Sequence, residues 1–295
     1  MTENVIECNG LTHYYGKRCI YENLNFTVPK GRILGLLGKN GTGKTTTINL
    51  LNGYLQPVEG ECLMFGEKAG HLSPGVKQRI GLLIEGHVQY AFMNIEQIER
   101  FYGAFFPNWQ REPYYELMKK LAIAPRQKIS RMSCGQRSQV ALGLILAQDP
   151  DLLILDDFSM GLDPGYRRLF VDYLGEYAKA EEKTVFVTSH IIQDMERLID
   201  DCLILDYGKI LLQDSTHSFL NSFRRFTFET TKDIKNLDLP GLLNTEVTKN
   251  KIETYSFMSP DQVRKEFISA NIPVKEIKCE TLSLEEAFIG LTGKY

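Results

Sequence analysis

The chain has 295 residues, enough for about two domains, and its 43% apolar and 24% charged content is that of an ordinary globular protein. A net charge of −3 gives no support for wholesale nucleic-acid binding, so no nucleic-acid partner is expected. The six cysteines are scattered without a C-x-x-C pair and read as reduced, mostly buried thiols, and no apolar run approaches the ~20 residues of a membrane span.

In chain order, residues 5–28 alternate and carry β-branched and aromatic side chains, which predicts an antiparallel edge sheet. The apolar run 32–37 then leads into Gly38-Lys39-Asn40-Gly41-Thr42-Gly43-Lys44-Thr45 and a helix-like run over 44–51. Strand, glycine loop and helix in that order form the setting of a phosphate-binding loop. Glycines let successive N–H groups curl toward one anion, and the helix N-terminus adds partial positive charge. Lys44 is placed to reach the outer phosphates, the Thr45 hydroxyl to hold Mg²⁺, and Thr46 follows on the same turn.

Residues 60–66 predict a short strand. From about 86 to 148 the pattern turns helical, with Phe101, Tyr102, Phe105, Phe106, Trp109, Tyr114 and Tyr115 in its middle. These aromatics form either the insert's own small core or a gripping surface. The insert ends at Ser133-Cys134-Gly135-Gln136, where a Ser, a Gly and a helix N-terminus make a second anion site. One chain has no use for two such sites, whereas two chains facing each other head to tail do.

The apolar run 152–155 ends in Asp156 and Asp157. Beside a phosphate-binding loop, such a strand delivers one carboxylate, Asp156, to the metal and directs the next, Asp157, at the attacking water. Asp163 and, after a β-branched strand over 184–188, His190 come next. A hairpin turns near Tyr207-Gly208, and a boundary is expected over 214–221. Beyond it, strands over 225–229, 251–257 and 274–279 alternate with two helices that open on capping boxes, Ser259 with Gln262 and Ser283 with Glu286. His13, His71, His87 and His217 show no metal-ligand spacing.

Over roughly the first 215 residues these motifs, in this order, resemble the ATP-binding subunit of bacterial ABC transporters, of the exporter type. The resemblance makes Gly38 to Thr45 the Walker A loop and Ser133-Cys134-Gly135-Gln136 the family signature. It makes Asp156 the Walker B ligand, Gly161-Leu162-Asp163 the D-loop, His190 the switch histidine and Tyr15 the aromatic stacked on adenine. It implies ATP and Mg²⁺ as ligands, ATP hydrolysis, a dimer of ATP-binding subunits that are identical or different, and a separate transmembrane permease subunit. It also places the chain in the cytoplasm, on the inner face of the membrane through that permease. Glu85 stands where the family has a Gln that contacts Mg²⁺ and follows the permease, so both metal and catalytic roles fall on it.

There are three further departures from the family. Cys134 replaces a Gly, Phe158-Ser159 replace Pro-Thr, and Asp157 stands for the catalytic Glu. A base one methylene short predicts a slow ATPase, or a partner chain with the better site. The fold expected is α/β, a P-loop NTPase core with an antiparallel β subdomain and a helical insert over 1–216, plus a small C-terminal α+β domain over 222–295 that serves dimer support or regulation or is a purely structural cap. The other reading is a soluble ABC ATPase of translation or DNA maintenance. One P-loop and no sustained heptad run favour transport.

Overall fold

The computed structural model describes residues 3–84, 90–159, 162–230, 237–249 and 251–294. Glu85, to which the sequence assigns a metal and coupling role, lies outside these residues, as do Met160 and Gly161. The chain divides into two compact units, Met1–Ile210 and Leu211–Tyr295.

In the first unit, β1 (Asn4–Tyr15) and β2 (Arg18–Pro29) form a long hairpin that brings Tyr15 opposite Arg18. β3 (Ile33–Gly38) does not alternate. Ile33 to Leu37 are all buried, as in a parallel strand covered on both faces. α1 (Lys44–Leu51) follows, and β4 (Glu59–Met64) and β5 (Glu67–Lys68) join the hairpin in a sheet of order β2-β1-β4-β5. After α2 (Pro74–Gln78) and β6 (Ile80–Leu83) come α3 (Ile95–Gly103), α4 (Arg111–Lys120), a 3₁₀ turn at Ile129–Arg131, and α5 (Cys134–Leu146). The chain then alternates through β7 (Leu152–Leu155), α6 (Pro164–Ala180), β8 (Thr184–Thr188), α7 (Ile192–Leu198) and β9 (Asp201–Asp206), and β10 (Lys209–Ser215) carries it across the division at Ile210.

The second sheet has the order β10-β9-β3-β8-β7-β6. β8 runs parallel to both β3 and β7, with Leu36 beside Thr188 and Leu155 beside Val187. The carboxyl ends of three parallel strands therefore lie side by side, which is where open α/β sheets hold ligands. Phe26 of the hairpin and Phe186 of β8 stack at 6.0 Å, and Leu36, Ile48 and Leu51 belong to the same core. The two sheets thus close around α1.

The insert's aromatic residues divide between two environments. Tyr114 is fully buried and donates its hydroxyl to Ile95 O at 2.9 Å. Phe92 and Phe105 are 68% and 64% exposed, flanking Phe101 and Tyr90, whose rings lie 4.9 Å apart. A buried carboxylate anchors the inner side. Glu99 accepts from Trp109 Nε1 at 2.9 Å, from Arg111 Nε and Nη2 at 2.9 and 2.8 Å, and from the Tyr115 hydroxyl at 3.2 Å.

The second unit contains α8 (Thr216–Ser222), β11 (Arg224–Thr230), β12 (Leu243–Thr248), β13 (Lys251–Ser256), α9 (Pro260–Ser269), β14 (Val274–Glu280) and α10 (Leu284–Thr292). Its antiparallel sheet has the order β12-β13-β11-β14. Phe228 meets Phe267 edge-on at 4.2 Å in its core. Both capping boxes form, Ser259 with Gln262 and Ser283 with Glu286. The helix α8 occupies the stretch that the sequence reads as a boundary, and β12 is a strand the sequence reading omits. Both are short and polar, so neither carries a periodic signal.

Burial alone would push the Glu99 carboxyl up, but the donors from Arg111, Trp109 and Tyr115 outweigh it and hold the group below its ordinary range. Its stabilisation is therefore complete above the unfolded carboxyl pKa of about 4.3 and fades as pH falls through the lower folded value. Glu99→Gln is expected to lower unfolding stability at pH 7 by about 1–3 kcal/mol. A denaturant midpoint equal to that of the parent, at the same slope, would reject the anchor.

Candidate functional site

The loop between β3 and α1 takes its shape from two glycines. Gly43, the residue before α1, has φ +107°, and a Cβ there would stand 2.8 Å from Ile20 Cγ2 and 2.9 Å from Tyr21 Cε1. A Cβ on Gly38 would meet Thr42 Oγ1 at 2.5 Å and Leu205 O at 2.9 Å. With glycine at these points the loop closes on itself. Thr42 Oγ1 donates to Lys39 O at 2.8 Å, and Lys44 Nζ donates to Gly38 O at 2.7 Å and Lys39 O at 3.1 Å. No side chain caps α1, so its first-turn N–H groups have no side-chain acceptor. That leaves an anion-binding helix terminus.

The loop opens on a cleft of about 240 Å³ that Tyr15, Asn40, Lys44, Thr45, Thr46 and His190 help to line. Tyr15 is 49% exposed, with its hydroxyl 3.5 Å from Thr46 Oγ1. Arg18 and Ile20, which the sequence reading did not select, also line it, and Arg18 Nη2 donates to Gly41 O at 3.4 Å. Their signal was positional only: both follow the hairpin turn after Tyr15.

Asp156 and Asp157 leave the end of β7 buried. The Thr188 hydroxyl donates to Asp156 Oδ1 at 2.8 Å and accepts the Asp157 N–H at 2.9 Å. Asp157 adopts φ +46°, and its Oδ1 accepts the His190 N–H at 3.2 Å, while His190 Nε2 lies 3.1 Å from Oδ2. The Ser159 and Ser189 hydroxyls meet at 2.8 Å. Burial pushes the Asp156 carboxyl up, Asp157 adds to the rise, and hydrogen bonds from Thr188 and Thr45 and the charge of Lys44 work against it. Burial likewise lowers the Lys44 ammonium, opposed by Asp157 and Asp156. These groups therefore share one electrostatic neighbourhood.

Tyr15, the 38–46 loop, Asp156, Asp157 and His190 thus come together at the ends of β3, β7 and β8. The remaining sequence-selected residues stand elsewhere. Ser133 is the N-cap of α5 in a capping box with Gln136, Gly135 is buried against Tyr166, and Cys134 is exposed. Asp163 caps α6 by accepting the Tyr166 N–H at 3.2 Å. None of the four selected residues, Ser133, Gly135, Gln136 or Asp163, lines the cleft.

A family profile described as ABC transporter matches residues 21–159. The Nod factor export ATP-binding protein I of Cupriavidus pinatubonensis is 30% identical over 224 residues, 74% of this chain and 68% of that protein. The chain belongs to the ABC transporter family. It is an ATP-binding subunit of that family, whose ATP-binding domains generally hydrolyse ATP. Over nearly its whole length it is similar to the bacitracin transport ATP-binding protein BcrA of Bacillus licheniformis, at 28% identity over 298 residues, 98% of this chain and 97% of that protein. The fold matches a solved ATP-binding subunit of an ABC transporter with a TM-score of 0.64 at 22% identity, covering 74% of this chain and 92% of that one. It also matches a dimeric ATP-binding cassette bound to ADP and Pi, with a TM-score of 0.61 at 20% identity, covering 71% and 98%. These structures share the P-loop NTPase fold.

The donor set of this ABC subunit fits a hard cation. Among the described residues no group of three or more His, Cys, Asp and Glu could hold a metal by itself. Mg²⁺ is ordinarily bound by one or two protein oxygens plus phosphates and water, and Thr45 and Asp156 supply such oxygens. The loop geometry makes its own test. Gly43→Ala must hold a Cβ at φ +107° against Ile20 and Tyr21, a strain of about 1–3 kcal/mol. The variant is expected to melt earlier than the parent and to bind ATP at least about tenfold more weakly; nucleotide titration at the parent's affinity would refute the requirement.

Proposed function

We propose that the chain binds and hydrolyses Mg-ATP to drive export through a separate membrane subunit. The observation that carries this reading is the convergence of Lys44, with the uncapped start of α1, on the two buried carboxylates of β7. The amides of the 38–46 loop and Lys44 hold the phosphates. Thr45 and Asp156 hold Mg²⁺, which when bound neutralises charge on the phosphate oxygens. Asp157, with His190 at 3.1 Å, orients the attacking water and takes its proton. Tyr15 offers an exposed ring for the base.

The assembly follows from where the remaining residues stand. Ser133, Gly135 and Gln136 lie outside the chain's own cleft, which supports their use against the nucleotide of a second ATP-binding subunit. Among the described residues no helix is long and apolar enough to cross a membrane, so the transport path is assigned to another chain. Phe92 and Phe105, exposed on the insert, are the side chains we assign to contact with it. Export is inferred from relatives named for bacitracin transport and Nod factor export.

Two substitutions test this reading. Lys44→Ala removes the cation facing the outer phosphates and is expected to abolish ATP binding or turnover. Unchanged affinity and rate in that variant would end the assignment. Asp157→Glu is expected to raise turnover about tenfold if the short base limits the rate. A kcat at or below that of the parent would mean that the left-handed backbone at Asp157 already places the carboxylate well enough.

A further inference from the structure

The loop and carboxylates above account for phosphate and metal, but not for what holds two adjacent acids in different roles. We propose that Thr188 is a positioning residue for hydrolysis, an assignment that rests on the ATPase reading. A hydroxyl has one proton and two lone pairs. The proton of Thr188 goes to Asp156 Oδ1 at 2.8 Å, and a lone pair takes the Asp157 N–H at 2.9 Å. One side chain, 1% exposed at the end of β8, therefore fixes the metal-side carboxylate through its oxygen and the water-side residue through its backbone.

The second bond matters because of the conformation it holds. Asp157 lies at φ +46°, a region few non-glycine residues occupy. Its N–H is held by Thr188 and its Oδ1 by the His190 N–H at 3.2 Å. An aspartate carboxylate is joined to the backbone through a single methylene, so a rotation of the Asp157 peptide moves the carboxylate with little slack. Reacting groups tolerate little of this, since a 1 Å misplacement costs about 10²-fold in rate.

The neighbouring residue makes the role separable from folding. Ser189 pairs with Ser159 at 2.8 Å, so the end of β8 remains fastened to the β7 turn at a second point when Thr188 is changed. Valine has nearly the shape of threonine and suits a strand, so Thr188→Val removes the hydroxyl and with it both hydrogen bonds.

ATP hydrolysis and ATP affinity of the full chain are measured for the parent, Thr188→Val, Thr188→Ser and, as the floor, Asp157→Asn. The expected result is a kcat at least about tenfold lower in Thr188→Val, with KM and ATP affinity within about threefold of the parent. Thr188→Ser, which keeps the hydroxyl, is expected to retain kcat within about threefold. The proposal is overturned if Thr188→Val turns over like the parent, if it loses affinity rather than kcat, or if Thr188→Ser is as slow as Thr188→Val. A parent no faster than Asp157→Asn overturns the ATPase reading itself, and so separates that failure from a failure of Thr188 alone.

Discussion

The site depends on one buried cation. Taking an ammonium out of water is costly unless oxygens replace the solvent. Lys44 meets this demand with the carbonyls of Gly38 and Lys39 and with the field of Asp156 and Asp157. The carbonyls are available only because Gly38 and Gly43 let the chain fold tightly around the lysine. The carboxylates are available only because β7 ends one strand away from β3, with β8 between. The loop, the strand order and the acid pair thus all serve one requirement, a positive charge held out of water.

The insert solves an analogous problem with the opposite sign. Glu99 is buried and gathers a guanidinium, an indole N–H and a phenol around it. The result fastens α3 to the start of α4 and leaves Phe92 and Phe105 outward, so rigidity and an apolar surface arise from the same small element.

How much was legible in the sequence follows from how each feature is encoded. The 38–46 loop could be read because left-handed and crowded backbone positions require glycine, which leaves a spacing on the page. Asp156 and Asp157 could be read because carboxylates at the end of an apolar run are conspicuous. Thr188 could not, since threonine in a strand is what β propensity predicts, and its hydroxyl declares itself only through partners supplied by β7. Glu99 could not either, because its donors come from residues 109, 111 and 115, ten or more positions along the chain. The aromatic insert was ambiguous from composition, and the structure divides it, with Tyr114 inside and Phe105 out.

The strand order has a consequence for synthesis. β3 and its glycine loop are made early, yet their neighbours in the sheet are β8 and β9, which leave the ribosome only after the whole helical insert has been made. Until then this buried, apolar strand has neither of its sheet neighbours, and Lys44 has no carboxylate to face. Such non-local pairing folds slowly and exposes an unpaired edge while it waits. The nascent chain therefore brings Lys44 and the acid pair together late, and the hairpin of β1 and β2, whose pairing is local, is the element able to cover β3 and α1 in the interval.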